Sequence, residues 1–280
     1  MTSNTSRPVE FTHSAYTGGP IHGVIGSNEL RKRLNPFVFL DHFDVATDSK
    51  WGFDWHPHSG VATFTYVQAA DLDHADTSGA SGRLHQGGVQ WMASGNGIWH
   101  QEYYHPRSEG SVNGLQLWIA LPPELENGPN HYQDVQAEDL PVVGNTRVLA
   151  GSYMSAASPV TTPVDFNVFD VTLNAASAGE PATWEFTPPE DHDIAWLYTQ
   201  NGTVETAGTT VAPRTIAVFE SSSEPITITA ANDGASFIVG TAPANHQPIV
   251  ASRGSMHTNA EALRSGQQRI AKIADQARIG

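Results

Sequence analysis

Short apolar segments rich in β-branched and aromatic residues recur along the chain, at residues 37–40, 61–67, 89–92, 115–120, 166–173, 194–198, 215–219, 226–229 and 237–239. Clusters of Gly, Pro, Asn, Asp and Ser separate them. Segments this short bury their apolar faces only by pairing into sheets, and many short strands spaced in this way predict all-β sandwiches or barrels. A chain of 280 residues holds one large or two ordinary domains with proper cores. The stretch 122–145, with Pro122-Pro123, Gly128-Pro129 and Pro141, has the composition of a connection between two strand-rich halves. The expected division is therefore residues 1–135, residues 136–257, and a closing helix and tail at 258–280. The halves are alike in length and strand density, as tandem domains would be, although no residue-level repeat links them.

The closing helix is expected from Thr258-Asn259-Ala260-Glu261, which has the S/T-x-x-E form of a capping box. Leu263, Ile270, Ile273 and Ala277 then follow at helical spacing, with Gly266 as a soft point.

Charge and composition remove several functions. Fourteen Lys and Arg against 29 Asp and Glu give a formal charge of −15, which repels phosphate backbones and anionic membranes. Nucleic acid and membrane are therefore not expected as partners. The absence of cysteine removes disulfides, thiolate metal sites, Fe–S clusters and cysteine nucleophiles. Residues 1–10 are polar and no apolar run reaches membrane-spanning length, so a soluble, cytoplasmic protein is expected.

Two histidine patterns carry the chemistry: His56-Pro57-His58 and His100-Gln101-Glu102. Side chains two apart on a strand share a face, so each pair can converge on one point without special backbone geometry. Gly52 and Gly60 bracket the first pair and Gly95-Asn96-Gly97 precedes the second, which sets both at strand ends beside tight turns. Three imidazoles and one carboxylate, without thiolate, suit one divalent first-row ion such as Fe(II), Mn(II), Ni(II), Cu(II), Co(II) or Zn(II). His42 and His74 are candidates for supporting or pocket groups; the remaining histidines are scattered. The second half has neither pattern, so any metal belongs to the first.

The segments Asn35-Pro36-Phe37-Val38-Phe39-Leu40-Asp41-His42-Phe43, His56-Pro57-His58-Ser59-Gly60, Asp73-His74-Ala75-Asp76-Thr77-Ser78-Gly79, residues 88–102 and Gly114-Leu115-Gln116-Leu117-Trp118-Ile119 resemble the pirin family of the cupin superfamily in order and spacing. Ser255-Met256-His257-Thr258-Asn259 resembles the family's closing segment. The resemblance is dense over the first half and thin over the second. It implies two tandem cupin β-sandwich or barrel domains with a C-terminal helix. It also implies one metal, usually iron as Fe(II), held in the N-terminal domain by His56, His58, His100 and Glu102. Two positions depart from the family pattern: Ala62 stands where many members have Glu, and Gln68-Ala69-Ala70-Asp71 replaces the usual Gly-Glu. Neither position is a ligand.

Several pirins are similar to quercetin 2,3-dioxygenases, which open the heterocyclic ring of a flavonol with O2 and release carbon monoxide. The resemblance thus implies a flavonol-like aromatic substrate and O2, with Glu102 as the catalytic base for the substrate hydroxyl. Phe53, Trp55, Trp91 and Met92, near the ligands in sequence, are the candidate walls of the substrate pocket. The alternative that the resemblance implies is an iron-dependent redox regulator that binds a protein partner; a cupin acting on another small molecule is a third.

Overall fold

The computed structural model describes residues 6–108, 110–175 and 181–278. The sequence readings for residues 1–5 and for the last two residues of the tail lie outside that range. The chain folds into two compact units, each assembled from two pieces of sequence. One joins Thr17–Asp139 to the stretch from Asn245 onward; the other joins the stretch up to Tyr16 to Leu140–Ala244.

In the first unit antiparallel strands of one sheet run in the order His131–Val135, Val89–Ala93, Val61–Ala69, Ser111–Ala120, Phe37–Ala46, Ile21–Ile25. A four-stranded sheet, Trp51–His58, Ile98–His105, Asp71–Asp76, Ser81–Leu84, forms the second layer. Phe43, Val67 and Val112 of the first sheet meet Leu72, Leu84 and Tyr104 of the second in one buried cluster. The stretch expected as a connection thus contributes a strand, because His131–Val135 pairs with Val89–Ala93.

In the second unit one sheet of nine strands wraps around its own core. The 17-residue strand Ile226–Ala242 makes this possible. Its first residues pair with Thr183–Phe186, and residues 235–241 pair with Asn167–Leu173. Bulges along its long partner Ile194–Thr206, at Thr199/Asn201 and Gly202/Val204, bend the ribbon between those two pairings. The segments 226–229 and 237–239 are therefore one strand rather than two, joined through the exposed residues 231–233. The leading strand Val9–Ser14 pairs with Thr215–Phe219. Just before it, buried Arg7 donates to the carbonyls of Glu220, His192 and Asp193.

The closing helix forms at Ala260–Ala277, but its cap differs by one residue from the capping-box expectation. Asn259, not Thr258, accepts from the N–H groups of Glu261 and Ala262 at 3.0 and 2.9 Å. Thr258 is engaged elsewhere: its N–H and hydroxyl donate to the buried Glu126 carboxylate at 2.7 and 2.9 Å. Gly266 is buried because the helix backbone approaches closely there. A Cβ would collide with Ser59 Oγ and lie 2.8 Å from His257 Nε2. No helix among the described residues is long and apolar enough to cross a membrane.

Candidate metal centre

The two histidine patterns lie on neighbouring strands. Trp51–His58 and Ile98–His105 pair antiparallel with His100 directly opposite His56 and Ile98 opposite His58. The register shifts between His100 and Glu102, so that Glu102 faces Phe53 and two residues, Asp54 and Trp55, oppose Gln101 alone. That bulge leaves Glu102 Oε2 3.9 Å from His56 Nε2. One potential ligand nitrogen from each of His56, His58 and His100 lies within 4.8 Å of the others. Their rings are centred 4.2 to 5.1 Å apart.

The surroundings fix which nitrogens are available. His56 Nδ1 is 2.7 Å from the carbonyl of Asp54, and His58 Nδ1 is 2.9 Å from the carbonyl of Gly254. A carbonyl only accepts, so both Nδ1 atoms carry the proton and both Nε2 atoms keep a free lone pair. His100 is 1% exposed, and neither of its nitrogens has a hydrogen-bond partner. A buried imidazole left in that state is costly, and a cation ligated by one nitrogen would remove part of the cost.

Electrostatics point the same way. Burial pushes His58 down to about 3, with the nearby His56 adding to the effect, and it holds His100 well below the usual imidazole range. Burial lowers His56 too. These rings are neutral lone-pair donors at pH 7. Burial also pushes the Glu102 carboxyl up to about 7. Three neutral nitrogens beside a carboxylate that resists ionising form a donor set that a divalent cation completes. The residues present fit such an ion.

A cavity of about 300 Å³ opens beside the cluster. Phe39, Asp41 and Phe43 reach it from alternate positions of Phe37–Ala46, and Gln116 and Trp118 from Ser111–Ala120. Gln116 is registered opposite Asp41, and Trp118 opposite Phe39. Phe39 and Trp118 stack at 4.3 Å, and Trp118 also meets the His58 ring edge-on at 4.9 Å. Burial raises Asp41 to about 6. Thr65 Oγ1 lies 2.8 Å from Gln116 Oε1 and 3.3 Å from Glu102 Oε1. A single hydroxyl proton serves the shorter bond, so the Glu102 oxygen keeps accepting capacity.

Of the four residues expected as pocket walls, only Phe53 lines this cavity. Trp55 sits in the bulged stretch and does not line it. Trp91 and Met92 are fully buried in Val89–Ala93, a strand with both faces covered, and belong to the core. His74 takes a supporting place: its Nε2 is 2.8 Å from Asp134 Oδ2, its Nδ1 is 2.6 Å from the Tyr132 hydroxyl, and it is registered opposite Glu102. His42 lies 5.6 Å from the His22 ring and does not line the cavity.

The C-terminal stretch completes the site. Val250–Ser252 and Ser255–His257 form a hairpin whose turn supplies the Gly254 carbonyl to His58 and sets Arg253 on the cavity wall. Ser59 Oγ anchors the hairpin, 3.0 Å from Ser255 Oγ and 2.9 Å from His257 Nε2. Gly60, at φ +76°, follows immediately; a Cβ there would stand 2.8 Å from the His257 ring. Sequence spacing gave no sign that residues so distant along the chain meet the ligand strand.

Two β-sandwich units, one with an inward-facing histidine cluster on adjoining strands, define a protein of the cupin class. Known proteins narrow the class. The family model described as Pirin matches residues 20–119. Over 251 residues the chain is 30% identical to a Pseudomonas aeruginosa protein provisionally named a quercetin 2,3-dioxygenase, with 85% of each chain covered. It is 33% identical over 197 residues to a pirin-like protein of Caulobacter vibrioides, covering 67% of this chain and 68% of that one. The fold is shared with a crystal structure of quercetin 2,3-dioxygenase from Acinetobacter baumannii (TM-score 0.84, 24% identity, 95% and 97% of the two chains covered). It is also shared with the Escherichia coli pirin YhhW in complex with nickel(II) (TM-score 0.62, 18% identity, 85% and 97% covered). The chain belongs to the pirin family.

Proposed function

We propose that His56, His58, His100 and Glu102 hold one divalent metal ion, Fe(II) in the first instance, and that the protein cleaves a flavonol with O2 in the manner of a quercetin 2,3-dioxygenase, releasing carbon monoxide. The observation that carries this reading is the pairing of the histidine cluster with the adjoining cavity. The two Nε2 lone pairs are held free by the carbonyls of Asp54 and Gly254, and they converge beside aromatic walls. The names of the relatives support the same reaction class. When bound, the ion would supply charge stabilisation for a deprotonated substrate hydroxyl and a coordination position for O2.

The chain's own residues account for the rest. Phe39, Phe43, Phe53 and Trp118 form flat apolar walls, and about 300 Å³ is at the lower end of the range of small-molecule pockets, sized for one planar polyphenol. Glu102 accepts the proton of the substrate hydroxyl, since Thr65 Oγ1 is drawn to Gln116 and leaves a carboxylate oxygen open. Arg253 brings a guanidinium to the cavity wall, a partner for the phenolate character of an electron-rich flavonol.

The test is reconstitution with Fe(II), Mn(II), Ni(II), Cu(II), Co(II) or Zn(II), followed by loss of flavonol absorbance on addition of quercetin and oxygen. Turnover with at least one ion, abolished in Glu102→Gln while metal is retained, is the expected result. No turnover with any metal would remove the proposed activity.

A further inference from the structure

The second unit carries a cavity of its own, about 660 Å³, at the residues around His192. His192 is 0% exposed, and its backbone is tied in place: its N–H donates to the Pro189 carbonyl at 3.0 Å and its carbonyl accepts from Arg7 at 3.1 Å. The proton position on its ring follows from a chain of contacts. The Ser152 N–H donates to Asn167 Oδ1 at 2.9 Å, which fixes the orientation of that amide. Asn167 Nδ2 is then 3.0 Å from Thr241 Oγ1 and 3.2 Å from His192 Nδ1. An amide nitrogen only donates, so His192 Nδ1 accepts, from Asn167 and from the Thr241 hydroxyl at 2.9 Å. The ring proton therefore sits on Nε2. That atom is buried and has no hydrogen-bond partner, although the residue lines the cavity and the Asp165 carboxylate stands 3.5 Å away.

A buried N–H whose nearest acceptor, the Asp165 carboxylate, stands 3.5 Å away is poorly satisfied, and His192 is held at the cavity wall by a network that is already satisfied. The arrangement selects among ligands. A metal ion needs a lone pair, which Nε2 lacks. An anion would accept from Nε2–H but meets the side chains of Asp165 and Glu185 on the same cavity. A hydroxyl fits both demands, because its oxygen accepts from Nε2–H while its hydrogen goes to the Asp165 carboxylate. Tyr153, Met154, Phe186, Pro188 and Pro189 line the rest of the space and suit a ring.

We propose that this cavity of the second unit is a binding site for a small hydroxyl-bearing aromatic molecule, its hydroxyl held between His192 Nε2–H and Asp165. The site is independent of the metal cluster and does not rest on the function proposed for it.

Met154, one of 4 methionines and an exposed lining residue, provides a local probe. Metal-loaded full-length protein labelled with ¹³C-methyl methionine is titrated with phenol and, separately, with toluene; Met154→Leu assigns the signal. Phenol should shift the Met154 methyl saturably, and toluene should bind about tenfold or more weakly for want of the hydroxyl. Asp165→Ala, at an exposed position, should weaken phenol by about tenfold, and His192→Phe by at least as much. Equal binding of phenol and toluene, or full phenol affinity in Asp165→Ala, would overturn the proposal. So would Co(II) broadening of the Met154 signal that is lost in His192→Phe, since that makes Nε2 a metal ligand.

Discussion

The two units are built from the same kind of alternating strand, and the ring clusters inside them differ. In the second unit the main buried cluster is apolar: Phe169, Trp184, Phe186 and Phe237 interlock with Val171, Leu197 and Ile228. Tyr153 stacks on Trp184 at 5.7 Å, and Phe169 meets Phe186 edge-on at 4.9 Å. In the first unit comparable ring-to-ring spacings are made by His56, His58, His100 and Trp118, and beside them space is left open. A β-sandwich tolerates either content, since its backbone pairing does not depend on which side chains face inward. The difference lies in the cost. Apolar rings stabilise the second interior directly, whereas neutral imidazoles and a carboxyl group are expensive to bury.

Removing a ligand and removing a core ring should therefore have opposite consequences. His58→Ala or His100→Ala should lower metal affinity by more than about 100-fold, beyond the loss typical of supporting residues, while the thermal transition of the metal-free protein stays close to that of the parent. Equilibrium dialysis and calorimetry check both halves. Phe169→Ala should do the reverse. It should cost about 3–5 kcal/mol of stability through the cavity it leaves, with metal content per folded chain unchanged, as read by denaturant unfolding and elemental analysis.

A smaller effect is expected where the hairpin and the closing helix meet the ligand strand. Gly266→Ala forces a methyl group against Ser59 and His257 and should cost about 1–3 kcal/mol. Arg253→Gln should leave the fold and metal content intact and raise KM for a phenolic substrate by about tenfold or less, with a smaller change in kcat.

The smallest expected effect is a pH dependence. Burial holds His257 down at about 4, whereas in the unfolded chain it titrates near 6.5. Its contribution is full above about 6.5 and is lost as pH falls through about 4, because the unfolded chain binds the proton first. The urea midpoint should therefore fall less steeply between pH 7.5 and 4.5 in His257→Asn than in the parent protein.

The clustering of His56, His58 and His100 was legible because i, i+2 spacing on a strand is a local property; Glu102 stands at the edge of the cluster, 3.9 Å from His56. The all-β class and the closing helix were equally local. The strand Asp71–Asp76 and the full extents of Trp51–His58 and Ile98–His105 were not legible, because their alternation is carried by polar and aromatic residues rather than aliphatic ones. The cavity walls were misjudged for a related reason. Trp91 and Met92 are near the ligands in sequence but lie in a strand buried on both faces, while the true walls follow a period of two, at Phe39, Asp41 and Phe43 and at Gln116 and Trp118. Reading that alternation against the ligand strands would have found them. Nothing local could have found Arg253 and Gly254, which reach the site only through the return of the C-terminal hairpin.

The most direct test of the metal centre is anomalous diffraction from crystals of the protein purified with, or soaked in, Fe(II). The account predicts one anomalous peak per chain, within bonding distance of Nε2 of His56, Nε2 of His58, one nitrogen of His100 and the Glu102 carboxylate, and none at His192. A chain with no peak at the cluster, its histidines splayed apart, would contradict it.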